Sequence, residues 1–381
     1  MKNVMIVAAK RTPIGKIGGI LKDIPPEQLV AALLQNIVGS LQLNPQEIDE
    51  VIVGNTIGPG GNLARLSLLT AGFPYEVPGV TIDRQCGSGL EAINIAARHI
   101  QAGAGDIYLA GGVESTSLAP WKVEKPSSIY SSHLPSFYSR AKFSPGTIGD
   151  PDMGVAAENV ARVYKITRDD QDLYALNSHQ KAVYAQRNGL FKDEIVSING
   201  IGEDECPRLH TSLEALGALK PAFVENGTVT AGNACPINDG AAMVLLMSED
   251  KCKELGITPL AQYMDSTSAG VDPNLLGIGP VPAVKKLLNR NSLSIHEIDL
   301  VEFNEAFASQ VLASLQELDI PFDRVNKGGG AIALGHPYGA SGAILITRLC
   351  SELKNSEQRL GLATLGIGGG LGVATLIRRI E

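Results

Sequence analysis

Basic residues do not dominate this 381-residue chain: 32 Lys and Arg face 40 Asp and Glu, a formal charge of −8. That balance argues against general binding to nucleic acid or anionic membranes, although a local basic patch could still hold a phosphorylated ligand. Cysteine is scarce too. Cys86, Cys206, Cys235, Cys252 and Cys350 are odd in number and irregularly spaced, giving neither a disulfide framework nor a zinc pattern. No apolar run approaches the length of a membrane span. The stretch Met1 to Arg11 has too short an apolar core for a signal peptide, and basic residues end it. A soluble, reduced, cytoplasmic protein is the expectation, with no nucleic-acid or membrane partner.

Aromatics make up only 5% of the chain, whereas glycine contributes 42 residues and hydrophobic residues 44%. Such a composition suits tightly packed α/β layers with close backbone approaches. The length implies two or three domains.

The most informative junction is Val80-Thr81-Ile82-Asp83-Arg84-Gln85-Cys86-Gly87-Ser88-Gly89-Leu90. A β-type run, Gly79 to Ile82, ends at a cysteine. A small-residue helix start and an apolar helix running to Gly103 follow. A thiol at a helix N-terminus faces unpaired N–H groups and the positive end of the dipole, which favours thiolate. The alternative is a buried structural cysteine.

Two halves echo one another. Leu43 to Asn55 contains Leu-x-x-x-x-Ile-Asp before a strand, and Leu293 to Glu305 repeats it. A helix precedes each copy, over 28–41 and 282–289. Further on, Gly87-Ser88-Gly89-Leu90 and Gly339-Ala340-Ser341-Gly342 each open an apolar helix leading to a strand, 107–110 and 361–365. Two pairs in one order imply an internal duplication and α/β layering. The segment between, 116–234, reads as an insertion packed over the site. It begins with a Ser/Pro-rich loop, 125–136, and holds a capping box at Thr167 to Asp170 whose helix stops at Asn188-Gly189. Two strands joined by Gly368-Gly369-Gly370 close the chain.

Three more motifs carry chemistry. Gly335-His336-Pro337 precedes the helix that mirrors the Cys86 helix. Alone, His336 reads as a packed loop residue; paired with Cys86 it is a proton acceptor. Asn304, in Asn304-Glu305-Ala306-Phe307, could hold a water or serve an oxyanion, or simply cap a helix. The run Gly366 to Gly372 resembles a dinucleotide loop only weakly, since it joins two strands; its free N–H groups suit an oxyanion better.

Together these motifs resemble the thiolase family over nearly the whole chain. The likeness begins at Ala8-Ala9-Lys10-Arg11-Thr12-Pro13 and runs through Gln85 to Gly89, Gly111 to Ser115 and Pro221-Ala222-Phe223. It continues through Gly227 to Asn233, Asn304 to Phe307, Gly335-His336-Pro337 and the final glycine hairpin. The resemblance implies two βαβαβαββ halves in a five-layer αβαβα sandwich with an inserted loop domain. The halves would span 1–115 plus 235–250 and 251–381, with the CoA-binding insertion at 116–234. It implies a CoA-dependent acyltransferase that makes or cleaves acetoacetyl-CoA or other 3-ketoacyl-CoA. Cys86 would carry the acyl group and His336 would take its proton. The N–H groups of Cys86 and Gly368 would form one oxyanion hole; Asn304, through a water, and His336 would form the other. Arg208 would lie near the nucleotide end of CoA, with Met153, Phe223, Ala231, Cys235 and Phe307 about the pantetheine tunnel. CoA would be substrate and product, with no covalently bound cofactor and no metal, in a homodimer or homotetramer.

The chain departs from the family pattern in places. The family's second catalytic cysteine, which serves the substrate α-carbon, corresponds to Gly366 here, and residues 351–381 contain no cysteine. Ala306 also keeps its usual identity, so the subgroup that carries this cysteine there offers no substitute. Losing a positioned acid/base costs about two to four orders of magnitude, so the carbon–carbon step is expected to suffer more than acyl transfer. Asp152, Asp83 and Gly328 replace a His, an Asn and an Asn common in relatives. A thiolase-like acyl-CoA binder with little turnover is the alternative, and a decarboxylating condensing enzyme ranks below it.

Overall fold

A computed structural model describes residues 1–126, 128, 130 and 134–380. The first half runs β1 (Val4–Arg11), β2 (Gly15–Lys16), α1 (Pro26–Leu41), β3 (Glu50–Gly54), α2 (Leu63–Thr70), β4 (Gly79–Ile82), α3 (Ser88–Ala102) and β5 (Ile107–Ser115). The intervening segment holds a small ribbon, β6 (Lys122–Val123) and β7 (Phe137–Tyr138), then α4 (Met153–Tyr164), α5 (Arg168–Arg187) and α6 (Leu213–Gly217). Strand β8 (Asn238–Ser248) returns to the first half and pairs antiparallel with β1 and β5. After α7 (Glu249–Leu255) the second half follows: β9 (Ala261–Gly270), α8 (Pro280–Arg290), β10 (Leu300–Phe303), α9 (Ala308–Leu318), α10 (Ala331–Leu334), α11 (Tyr338–Lys354), β11 (Leu360–Ile367) and β12 (Leu371–Arg379).

Alternation along the strands builds the layers. Ile52, Val244, Leu246, Ala363 and Leu365 face a central core with α3 and α11. Their neighbours Val51, Val53, Leu245 and Met247 pack outward with α1 and α2. Leu362, Val301 and Phe303 pack outward with α8 and α9. This period-two division gives the expected five layers.

The sheet differs from that expectation in two ways. Strands β1 and β9 pair over Val4 to Ile6, so the ladder is continuous in the order β10-β11-β12-β9-β1-β8-β5-β3-β4. The second half also lacks a full counterpart of β4, which shrinks to a single bridge between Val325 and Val301. There Asn326 donates from Nδ2 to the carbonyl of Phe303 and accepts from its N–H, both at 2.8 Å.

Local signals match their elements. Thr167 and Asp170 form the capping box of α5, whose C-cap is Asn188. The terminal hairpin turns through Gly369 and Gly370 at φ of 85° and 78°, a region costly to other residues. Of the loop read over 125–136, residues 127, 129 and 131–133 lie outside the described residues; the ribbon of β6 and β7 flanks the stretch.

Two contacts fix the halves and the insertion together. The first turns of α3 and α11 meet glycine to backbone: a Cβ on Gly89 would stand 2.6 Å from the Gly339 carbonyl oxygen, and one on Gly342 2.4 Å from the Leu90 nitrogen. Below them, buried Glu194 of the insertion accepts from Arg11 Nε of β1 at 2.7 Å and Arg348 Nη1 of α11 at 2.5 Å. Asp204 takes Arg11 Nη1 and Nη2 at 2.7 and 2.9 Å, and both guanidiniums stack on Phe191. Gly328 belongs to this arrangement, because a Cβ there would come within 2.6 Å of Arg348 Nη2.

Candidate active site

Cys86 sits on a tight elbow between β4 and α3. Gln85 adopts φ of 48°, and the turn is held by Asp83 Oδ1 accepting from Gln85 N at 2.7 Å and Ser88 Oγ accepting from Arg84 N at 2.8 Å. Asp83 thus does the turn-capping that an Asn would do there. Such a non-glycine backbone conformation costs about 1–3 kcal/mol and persists where the surroundings enforce it.

The thiol does not behave as the helix-terminus argument predicts. Burial pushes Cys86 up to about 12, outweighing the lowering by the backbone N–H groups of Gly368 and of Cys86 itself. Helix α3 starts two residues further on, at Ser88, so the helix end is set back from the sulfur. At rest the residue is a protonated thiol whose charged form the Gly368 and Cys86 N–H groups favour. Negative Glu114 and Asp83 add to the upward push.

His336 is also fully buried, and burial pulls it down to about 3. Its main-chain N–H donates to Asn238 Oδ1 at 2.8 Å, and Asn238 Nδ2 donates to the Gly15 carbonyl at 2.9 Å. The imidazole tautomer follows from Ser341. That hydroxyl donates to the Pro337 carbonyl at 3.0 Å, so it accepts from His336 Nδ1–H at 2.5 Å. Nε2 therefore carries the lone pair, with Asn304 Nδ2 3.4 Å away. Asn304 is not a helix cap: α9 begins at Ala308, and the Asn304 N–H donates to Thr364 at 3.1 Å.

Two buried carboxyl groups brace these loops. Glu114 accepts from Asn55 Nδ2 at 2.9 Å, from the N–H groups of Thr56 and Ile57, and from Gly339 N at 3.1 Å in the first turn of α11. Burial pushes it up to about 7 against those donors. Glu305 accepts from Tyr174, Ser178, Asn326 and the Ile332 N–H, tying α5 to the Asn304 loop. The Tyr338 ring stands edge-on to His336 at 5.0 Å, and burial pushes its phenol up.

Sequence reasoning gave no role to Ser341, Asn238 or Tyr338. Ser341 follows His336 by five positions and opens the α11 turn, a spacing that could have flagged it. Asn238 and Tyr338 carry no such signal, because their importance comes from long-range contact.

Around the mouth, Phe223 and Phe307 stack edge-on at 6.0 Å, and a Cβ on Gly154 would collide with the Phe223 ring. Met153 and Cys235 pack on the small cluster containing Ala234 and Phe307, and Cys235 N–H donates to the Ala306 carbonyl at 3.0 Å. Burial raises the Cys235 thiol too, so it offers no ready base. Ala231 is exposed, and exposed Arg208 lines a separate surface cavity of about 520 Å³ with Arg187, Tyr184 and Leu209. The structure therefore groups Met153, Phe223, Cys235 and Phe307 but leaves Arg208 and Ala231 on the surface. Asp152 is exposed and paired with Arg140.

Comparison with known proteins agrees with this architecture. Residues 4–250 match the model of the thiolase N-terminal domain and residues 257–379 that of the thiolase C-terminal domain. A putative acetyl-CoA C-acetyltransferase VraB of Staphylococcus epidermidis is 50% identical over 383 residues, covering 100% of this chain and 99% of that protein. Its Staphylococcus aureus (strain MRSA252) namesake is 49% identical, with 100% of both covered. The crystal structure of the Bacillus anthracis acetyl-CoA acetyltransferase superposes with a TM-score of 0.93 at 42% identity, covering 100% and 99% of the two chains. Human mitochondrial 3-ketoacyl-CoA thiolase in complex with CoA also gives 0.93, at 38% identity and 100% and 98% coverage. The chain belongs to the thiolase family. It is a CoA-dependent acyltransferase of that type.

Proposed function

We propose that Cys86 accepts an acyl group from acetyl-CoA or a 3-ketoacyl-CoA and that the protein makes or cleaves acetoacetyl-CoA. What supports this reading is a buried thiol pulled downward by the N–H groups of Cys86 and of Gly368 from the second half, which also carries His336 with a free Nε2 lone pair. As the sulfur attacks the thioester carbonyl, its proton passes to Nε2 while Nδ1–H stays on Ser341. The N–H groups of Cys86 and Gly368 then receive the developing oxyanion. Collapse forms the Cys86 thioester, and the departing CoA sulfur takes the proton back. Asn304 and His336 serve the oxygen of the second acyl-CoA.

The CoA relative and the aromatic mouth of Phe223 and Phe307 support CoA entry across the insertion, with Arg208 at its outer rim. The insertion, 116–234, is the CoA-binding unit in this reading, set on halves spanning 1–115 plus 235–250 and 251–381. Strand β4 ends the ladder with its outer edge unpaired among the described residues, which supports a homodimer joined there. Cytoplasmic residence rests on the reduced-cysteine reading; among the described residues no helix is long and apolar enough to cross a membrane.

The test is mass spectrometry after incubation with acetyl-CoA. A single acetyl adduct on Cys86, absent in Cys86→Ser, is expected; its absence from the wild type sinks the proposal. Gly366 favours a second reading, an acyl-CoA binder with little turnover. Steady-state acetoacetyl-CoA thiolysis separates the two, since a binder acylates without turning over.

A further inference from the structure

Gln310 lies in the first turn of α9, six residues after Asn304, and only 2% of it is exposed. Its Nε2 is buried without a hydrogen-bond partner. The side chain occupies a slot between two glycines. A Cβ on Gly277 would stand 2.8 Å from Gln310 Cγ, and one on Gly366 would stand 2.6 Å from Nε2. Gly366 in turn precedes by two residues the Gly368 whose N–H reaches Cys86. The slot thus lies against Gly366, on the strand that leads into the Gly368 turn.

Leaving an amide donor buried and unpaired is costly, and folded proteins seldom accept it without a use. A methionine would fill the same volume with no such cost. The missing partner has to be an acceptor, and a ligand entering beside Cys86 brings acyl oxygens. Resting on the thiolase reading above, we propose that Gln310 Nε2 donates a hydrogen bond to a carbonyl oxygen of the bound 3-ketoacyl group, in the space that Gly366 leaves free of a side chain. An amide holds an oxygen but transfers no proton. Gln310 therefore positions the acyl group for cleavage or condensation without replacing an acid or base.

The test uses the full chain with Cys86→Ala, so that ligands bind without reacting. Calorimetric affinities for acetoacetyl-CoA and for CoA are compared with and without Gln310→Met. The expected result is a loss of at least about five-fold for acetoacetyl-CoA with CoA unchanged, and thermal stability equal to or above the parent. Gly366→Ala, which leaves Gln310 in place but drives a methyl against its amide, gives the same selective loss and serves should the methionine variant fail to fold. Equal losses for both ligands, or none for either, overturn the inference. Acetylation of wild-type Cys86 tests the thiolase reading separately: an adduct with unselective Gln310 variants removes only the role of Gln310, whereas no adduct removes both.

Discussion

His336 shows how burial sets chemistry at a single residue. Its imidazole is held neutral because charging it would strand a cation in the core, and Ser341 then decides which nitrogen stays free. The same burial writes a pH signature. The unfolded chain takes up a proton near 6.5, whereas folded His336 waits until about 3. Between those values the unfolded state binds more protons, so stability falls as the pH drops through this window. Exchanging His336→Asn removes that contribution. Urea midpoints at pH 7, 5.5 and 4.5 should show the gap between wild type and variant narrowing on acidification, and parallel curves would contradict it. Cys86 stood out in the sequence by its glycine-lined junction, but its high proton affinity was not legible there. That affinity comes from burial in a core whose members, Ile367, Leu90 and Ala340 among them, lie far apart in sequence.

At the scale of elements, α3 and α11, the helices that follow Cys86 and His336, meet at their N-terminal ends. Each residue lies two positions before its helix, and the helices touch through Gly89 and Gly342 in their first turns. A methyl at Gly342 would press on the Leu90 backbone, which has no flexible end to yield. Gly342→Ala is expected to cost about 1–3 kcal/mol by overpacking. Cys86 acylation should fall more than ten-fold, because the two loops part. Urea unfolding and the acylation rate check this, and an intact rate would separate the helix contact from the chemistry. Helices, strands and the duplication were readable because 3.6- and two-residue periodicities repeat in both halves. The loss of the third strand around Val325 was not, since nothing in a short apolar run announces that a neighbour's side chain will take over its pairing.

At the scale of the molecule, Glu194 stitches three regions at once: the insertion, β1 through Arg11, and α11 through Arg348. Removing one member of a buried ion cluster strands buried charged donors, here Arg11 Nε and Arg348 Nη1, even though Asp204 and Glu352 stay with the two guanidiniums. Glu194→Ala should lower unfolding free energy by about 3–5 kcal/mol, measured by urea titration; a loss below about 1 kcal/mol would show the cluster to be dispensable. Duplication has left the two borders of the long ladder unequal. Asn326 answers both main-chain groups of Phe303 and so blunts the β10 border, while β4 keeps its border free. A free strand margin of this kind can be met by the same margin of a second copy about a two-fold axis. In the homodimer proposed above, the blunted β10 border would leave head-to-tail stacking of sheets no second strand edge on which to continue.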